Sequence, residues 1–271
     1  HFKKYANWAK KKFLKKNKNK IIEIGSNDGT FLNNFKNKDI DHLGFEPSKN
    51  VSDLARKSGI NSLHEFFSRD SLSEAEKFVG ATDIIFGANV VCHIPNLIEF
   101  IKTADKLLND NGKIIFEEPY LGSMYKKTSY DQIYDEHIFM FSVNSIKKIF
   151  KLFNFDLINV LPQKTHGGSM RYVVGRSGIH KISKNVSKFL KYEKRKKIDS
   201  IEGCLSFKRK CEISKKKLKN KIFSIIKKNK SIAGYAATSK STTILNYCGI
   251  DNRHIDFICD TTKDKIGKFT P

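Results

Sequence analysis

Residues 21–30 read I-I-E-I-G-S-N-D-G-T, an apolar run around one acid that empties into a short turn with glycine at both ends. The run predicts a buried strand, and the turn its exit into a helix. Glycine lets the backbone bend sharply and approach a ligand with no Cβ in the way. An ordinary strand–turn–helix corner carries the same pattern, so the spacing has to decide. A phosphate loop needs G-x-x-x-x-G-K-[ST], and here Gly29 is followed by Thr30 without the lysine. A dinucleotide turn needs G-x-G-x-x-G, and only Gly25 and Gly29 are present. The S-adenosylmethionine turn, acid-x-G-x-G-x-G, is matched by Glu23, Gly25 and Gly29, with Asn27 in place of the middle glycine.

Around this turn, strand and helix patterns alternate. Tyr5, Trp8, Ala9 and Phe13 recur at helical spacing and predict a basic helix over 5–16. Strands are predicted at 21–24, 41–45, 63–67, 82–87 and 113–116. Helices are predicted after the glycine turn (Phe31, Leu32, Phe35) and over 51–58, 97–108 and 145–153. Two more strands, 156–161 and 170–174, flank the turn His166-Gly167-Gly168. Short apolar strands between helices predict an α/β fold, a mostly parallel Rossmann-like sheet covered on both faces. Ligands of such sheets bind beyond the C-terminal strand ends. From Lys181 to Lys228 the chain is lysine-rich with helical periodicity (Ile198, Ile201, Leu205; Leu218, Ile222, Ile225), which predicts one or two amphipathic helices bridging two lobes. A strand at 231–235, a small-residue turn at 236–241, a helix through Leu245 and a strand at 255–259 then begin a second β-α-β unit. The expected division is 1–178 for the cofactor-binding domain, 179–228 for a helical linker, and 229–271 for an incomplete second Rossmann-like lobe.

S-adenosylmethionine suits these residues. It has no phosphate to cradle, and its ammonium and sulfonium favour a nearby carboxylate. Glu46 ends the second predicted strand, about 20 residues on, where an acid accepts both ribose hydroxyls; it also reads as a surface acid before Pro47. Phe66 and Phe67 close the third strand, as an adenine wall or as core. Asn89, after the fourth strand, could hold the methionine end. Ser26 and Asn27 of the turn complete the expected cofactor set.

Seven runs carry a resemblance: E-I-G-S-N-D-G-T, G-F-E-P-S, H-E-F-F-S, N-V-V-C-H-I-P, Y-D-Q-I-Y-D-E-H, H-G-G-S-M-R and G-Y-A-A-T-S-K-S-T-T-I-L-N-Y-C-G-I. In this order, over nearly the whole chain, they closely resemble the sugar C-methyltransferases of deoxysugar pathways. Family members have an N-terminal zinc-binding domain, a central class I methyltransferase domain and a C-terminal Rossmann-like domain. The resemblance implies that the first is absent here and the third incomplete, in keeping with a sequence that lacks an initiator Met and a closing element. Ala236 and Thr238 depart from the family at positions near its usual glycine and proline. The resemblance further implies methylation of a carbon next to the keto group of a nucleotide-linked keto-deoxysugar. That reaction needs a base, a holder for the enolate oxygen, and a methyl donor. A histidine with a pKa near about 6.5 is largely neutral and able to accept a proton at neutral pH. By resemblance His137 is the base, Tyr134 and Glu136 support it, and His93 and Tyr134 hydrogen-bond the ketone or enolate oxygen. Enolate chemistry needs no metal, and none is expected. The substrate's diphosphate would meet the turn at Ser239 and Lys240, where a helix begins. His166 has no assigned role.

Two other functions fit the same residues. One is a methyltransferase of the same fold acting on oxygen or another small molecule. Another, invited by a formal charge of +23, is a nucleic-acid-binding protein. The basic residues are nearly all lysine, whereas phosphate and base readers favour arginine forks. The charge is therefore read as a solvated lysine surface whose field attracts anions, a nucleotide sugar included. Five cysteines without a C-x-x-C pair point to a cytoplasmic, reducing setting. No apolar run approaches the roughly 20 residues of a membrane span.

Overall fold

The computed structural model describes residues 1–14, 17–78 and 81–270; the predicted end of the first helix at Lys16 lies outside them. In chain order the first lobe begins with α1 (Phe2–Phe13), β1 (Asn19–Ile24), β2 (Ile40–Phe45), α2 (Lys49–Lys57), β3 (Ser62–Leu63) and α3 (Leu72–Phe78). It continues with β4 (Thr82–Ala88), α4 (Leu97–Leu107), β5 (Leu108–Pro119), α5 (Leu121–Lys127), α6 (Val143–Lys151), β6 (Phe155–Gln163) and β7 (Ser169–Arg176). Then come α7 (Lys184–Lys196), α8 (Ile201–Ile226), β8 (Ala233–Tyr235), α9 (Ser239–Cys248) and β9 (Phe257–Cys259).

Period-two alternation in the central strands feeds two cores. Ile22, Ile24, Ile85, Ile114 and Phe116 face one side, with Phe100, Ile101 and Ala104 of α4 and Ile146 and Phe150 of α6. Ile21, Ile84, Phe86 and Ile115 face the other, with Tyr5, Ala6 and Ala9 of α1. Both faces are apolar because both are covered. The strand order is β3-β2-β1-β4-β5-β7-β6. β1 to β5 pair in parallel, while β7 runs antiparallel to β5 and β6. After β3 the chain returns past β1 to lay down β4. That reversal opens a crevice above the C-terminal ends of β1, β2 and β4.

Two local expectations are corrected. The third strand stops at Leu63, and Phe66 and Phe67 lie beyond it in irregular chain. After the glycine turn there is only a 3₁₀ turn, Leu32–Phe35. Asn34 there donates its side-chain amide to the carbonyls of Thr30 and Phe31, the kind of local bond that competes with helix propagation. The lysine-rich stretch forms two helices, broken at Lys197 in the left-handed region (φ 55) and restarted by Ser200, whose hydroxyl accepts from the Gly203 amide. α7 packs on the first lobe through Val186, Phe189 and Leu190. α8 sets Phe207 and Cys211 against Met124 and Tyr130, and further along sets Ile222 against Cys248 and Ile250. Thr243 of α9 donates its hydroxyl to the Ile133 carbonyl (3.2 Å), so the second lobe touches the segment after α5.

Glu193 of α7, only 1% exposed, accepts from the Tyr120 hydroxyl (2.9 Å) and from the amides of Val143 (2.7 Å) and Asn144 (2.9 Å) at the start of α6. Glu193→Ala would strand these donors. We expect a loss of about 2–4 kcal/mol in urea unfolding, against less than about 1 for Glu202→Ala, which removes only an exposed pair with Lys197.

Candidate functional site

The crevice is a cleft of about 380 Å³ whose lining includes Gly25, Glu46, Phe66, Phe67, Val90 and His93. At the exit of β1 both turn glycines have positive φ, and a Cβ on Gly25 would lie 2.8 Å from Val90 Cγ2. Asn27 is itself left-handed (φ 51) and donates its amide to Glu46 Oε2 (3.1 Å). The Ser48 amide donates to Glu46 Oε1 (2.8 Å). Two amides from different strand exits thus aim this carboxylate into the cleft. Phe67, 8% exposed, packs edge-on against Phe45 at 5.1 Å and against Phe100 at 5.9 Å, while Phe66 is 72% exposed at the rim. Among the described residues, Glu23 Oε2, Ser26 Oγ and Asn89 Oδ1 are buried without a hydrogen-bond partner. Burial, and then the nearby Asp28, hold the Glu23 carboxyl well above its usual pKa. An acid in that state gains from a cation, and unpartnered buried polar atoms gain from a polar ligand. The expected cofactor residues therefore gather at one end of the sheet, and they fit a ligand with hydroxyls and an ammonium.

The second group stands at the same mouth. His137 donates Nδ1–H to the Gln132 carbonyl (2.8 Å), since a carbonyl only accepts; Nε2 is then a lone pair, taken by the Tyr134 hydroxyl at 2.9 Å. Burial, opposed by the Gln132 bond and aided by His93 and Lys240, holds the His137 imidazole below its ordinary pKa. Burial raises that of the Tyr134 phenol, which stays a donor. His93 likewise donates Nδ1–H to the Glu136 carbonyl (2.5 Å), with its ring centroid 5.1 Å from that of His137. Its Nε2 lies 3.4 Å from Asn89 Nδ2, a long contact that ties the two expected sites together. Glu136 differs from expectation: its side chain is exposed, and it meets the site through its carbonyl. Glu136 lies in a turn closed by the His137 amide on the Tyr134 carbonyl (2.9 Å).

Two partners were not singled out in the sequence. Glu118, wholly buried at the end of β5, accepts from the Val90 (3.1 Å) and Val91 (2.8 Å) amides and so fixes the turn that carries Asn89 and His93. Cys92 sits in that turn; its sulfur and one ring nitrogen from each of His93 and His137 lie within 4.8 Å of one another. The signal for Glu118 was present: paired acids, E-E-P, closing an otherwise apolar strand. Lys240 of α9 reaches near enough to bias His137. His166, left-handed at φ 47, accepts through its carbonyl from Gln132 Nε2 (3.1 Å).

The topology is that of a methyltransferase domain. The chain belongs to the methyltransferase-domain family, which matches residues 2–160, and residues 164–271 match the C-methyltransferase C-terminal domain. The cofactor of this class is S-adenosylmethionine. C-methyltransferase NovU of Streptomyces niveus is 26% identical over 252 residues, covering 93% of this chain and 60% of NovU. The chain thus spans about 60% of the length of that curated relative. Among solved structures, magnesium protoporphyrin IX methyltransferase from Synechocystis PCC 6803 with bound SAH has a TM-score of 0.51 at 13% identity, over 65% of this chain and 82% of that one. An S-adenosylmethionine-dependent methyltransferase from Clostridium acetobutylicum ATCC 824 has a TM-score of 0.51 at 13% identity, over 66% and 93%. At such identity these likenesses establish the fold, a class I methyltransferase. No helix among the described residues is long and apolar enough to cross a membrane.

Burial raises the Glu118 carboxyl from 4.5 to about 6. Between those values the folded chain holds a proton that the unfolded chain releases, so this group's stabilisation is full below pH 4.5 and is lost as pH rises through 6. Glu118→Gln cannot titrate. Relative to the parent, its unfolding free energy should gain about 2 kcal/mol between pH 4.5 and 7 in urea titrations; a difference independent of pH would contradict the shift.

Proposed function

We propose that this chain carries an S-adenosylmethionine-dependent C-methyltransferase that methylates a carbon next to the keto group of a nucleotide-linked keto-deoxysugar. The observation behind it is the Gln132–His137–Tyr134 chain of hydrogen bonds at the mouth of the cofactor cleft: an imidazole with a fixed tautomer and its Nε2 lone pair turned to a phenol. Glu46 holds the ribose hydroxyls, Glu23 with Asn89 the methionine end, Phe67 the adenine, and the turn Gly25–Gly29 the space beside them. S-adenosylmethionine, when bound, supplies the electrophilic methyl group.

The chain's own residues prepare the carbon. Tyr134 turns its O–H from Nε2 to the ketone oxygen, which frees the lone pair. His137 Nε2 takes the proton from the carbon next to the ketone, and the C–H electrons become the enolate double bond. Tyr134 holds the oxygen through its O–H as the charge grows, and His93, whose Nδ1–H is taken by the Glu136 carbonyl, joins it only with a proton on Nε2. After transfer the imidazolium returns its proton to solvent. Support for an anionic substrate comes from the +23 charge and from Lys240 in the first turn of the ten-residue α9, close to the base. A resident cytoplasmic setting and a zinc-binding segment elsewhere in the whole protein belong to the same proposal.

His137→Asn should lower turnover at least about 100-fold, the usual size of a lost general base, with S-adenosylmethionine affinity by calorimetry unchanged. Unaltered turnover would reject the base. Glu46→Ala should weaken cofactor affinity by about 10–100-fold, roughly 1.4–2.8 kcal/mol, with His137 chemistry intact at saturation; equal affinity would remove Glu46 from the cofactor site.

A further inference from the structure

Buried behind the cleft's His93 is a group that methyl transfer does not use, the thiol of Cys92. It is 1% exposed and lies in the turn after β4, next to His93. Its sulfur and one ring nitrogen from each of His93 and His137 lie within 4.8 Å of one another. Both imidazoles already commit Nδ1–H to a main-chain carbonyl, Glu136 for His93 and Gln132 for His137. Each therefore keeps Nε2 as its basic nitrogen, the arrangement by which proteins orient metal-bound histidines. Two imidazoles and a thiolate are the donor set of zinc-class ions. The donors come from two segments that the His93–Glu136 bond holds together.

We propose that Cys92, His93 and His137 form a binding site for a zinc-class divalent ion, and that the bound ion blocks methyl transfer by occupying the lone pair of His137. The blocking half rests on the base role proposed above; the binding half does not. Zn–N near about 2.0 Å and Zn–S near about 2.3 Å set tetrahedral edges of about 3.3–3.6 Å. From within 4.8 Å of one another, the donors must close by roughly 1 Å to share one ion. Burial and the neighbouring Glu118 carboxylate hold the Cys92 thiol well above its ordinary pKa, so the metal's charge must offset both; on binding, the S–H bond breaks, sulfur keeps the electron pair for the metal, and the proton leaves to solvent, with no electron transferred. The Tyr134 hydroxyl must give up its 2.9 Å bond to His137 Nε2, and Asn89 Nδ2 its 3.4 Å contact with His93 Nε2. Metal and phenol thus compete for one lone pair, and the fourth metal position is left to solvent.

The test uses the full chain and cobalt(II), whose bond to a thiolate gives a near-ultraviolet charge-transfer band. After incubation and desalting, one cobalt per chain should be retained with that band. Cys92→Ser should lose the band, and His137→Asn should lose the retained metal. The double variant Cys204→Ser/Cys259→Ser, which removes the two exposed thiols, should keep both. Zinc should displace the cobalt and lower methyl transfer at least about tenfold, with chelation restoring it. No retained cobalt in the parent chain, or an unchanged band in Cys92→Ser, would overturn the site. Retained zinc with unchanged turnover would leave the site standing and overturn the block together with the base assignment.

Discussion

Two hydrogen bonds from imidazole Nδ1–H to main-chain carbonyls, His137 to Gln132 and His93 to Glu136, decide what this site can do. A carbonyl accepts and never donates, so each bond fixes one tautomer and leaves Nε2 basic and turned inward. The rest of the structure keeps those carbonyls and rings in reach. Glu118 holds the turn bearing His93 by two amides, and Gln132 is tied to the His166 carbonyl. α9 leans on the same segment through Thr243 and Tyr247, the latter 5.1 Å from Tyr130. The second lobe is thus a wall of the site as well as an appendage to it.

The candidate cofactor end follows from sheet topology. Residues at 25–29, 46 and 89 are far apart in sequence, yet each follows a parallel strand, and neighbouring parallel strands end on the same side. Burial then does electrostatic work. Glu23 is kept above its usual pKa in a place that favours a cation, while Glu46 is pinned by two amides. On the other face, Arg171 lies 3.8 Å over the Tyr5 ring and 4.3 Å over Trp8 while ion-paired to Glu117, which ties α1 to β5 and β7.

Much of this was legible in the chain. Isoleucines at 21, 22 and 24 around Glu23 announced a strand buried on both faces, and Gly25 and Gly29 announced a turn without room for a Cβ. The spacing to Glu46 placed an acid at the next strand exit. Local signals failed where tertiary context ruled. Leu63–Phe67 is apolar enough for a strand, but β3 lies at the sheet edge and ends after two residues, freeing Phe67 to pack on Phe45 and Phe100. Glu136 was legible as an acid, but which of its groups faces the site depends on the turn that holds it. Cys92 carries no such signal and Glu118 only the paired acids at a strand end; what each touches is set when β4 and β5 pair. The motifs reached the C-methyltransferase relationship; the contacts that select a substrate are not encoded in residue spacing.

The central claim is that this site removes a proton from carbon before any methyl group moves. It is tested most directly by holding a nucleotide-linked keto-deoxysugar with the enzyme and S-adenosylhomocysteine in heavy water, where transfer cannot occur. The account predicts that deuterium enters the carbon beside the ketone far faster than without enzyme, as read by mass spectrometry. If a substrate that the enzyme methylates with S-adenosylmethionine takes up no deuterium beyond background, the account is contradicted.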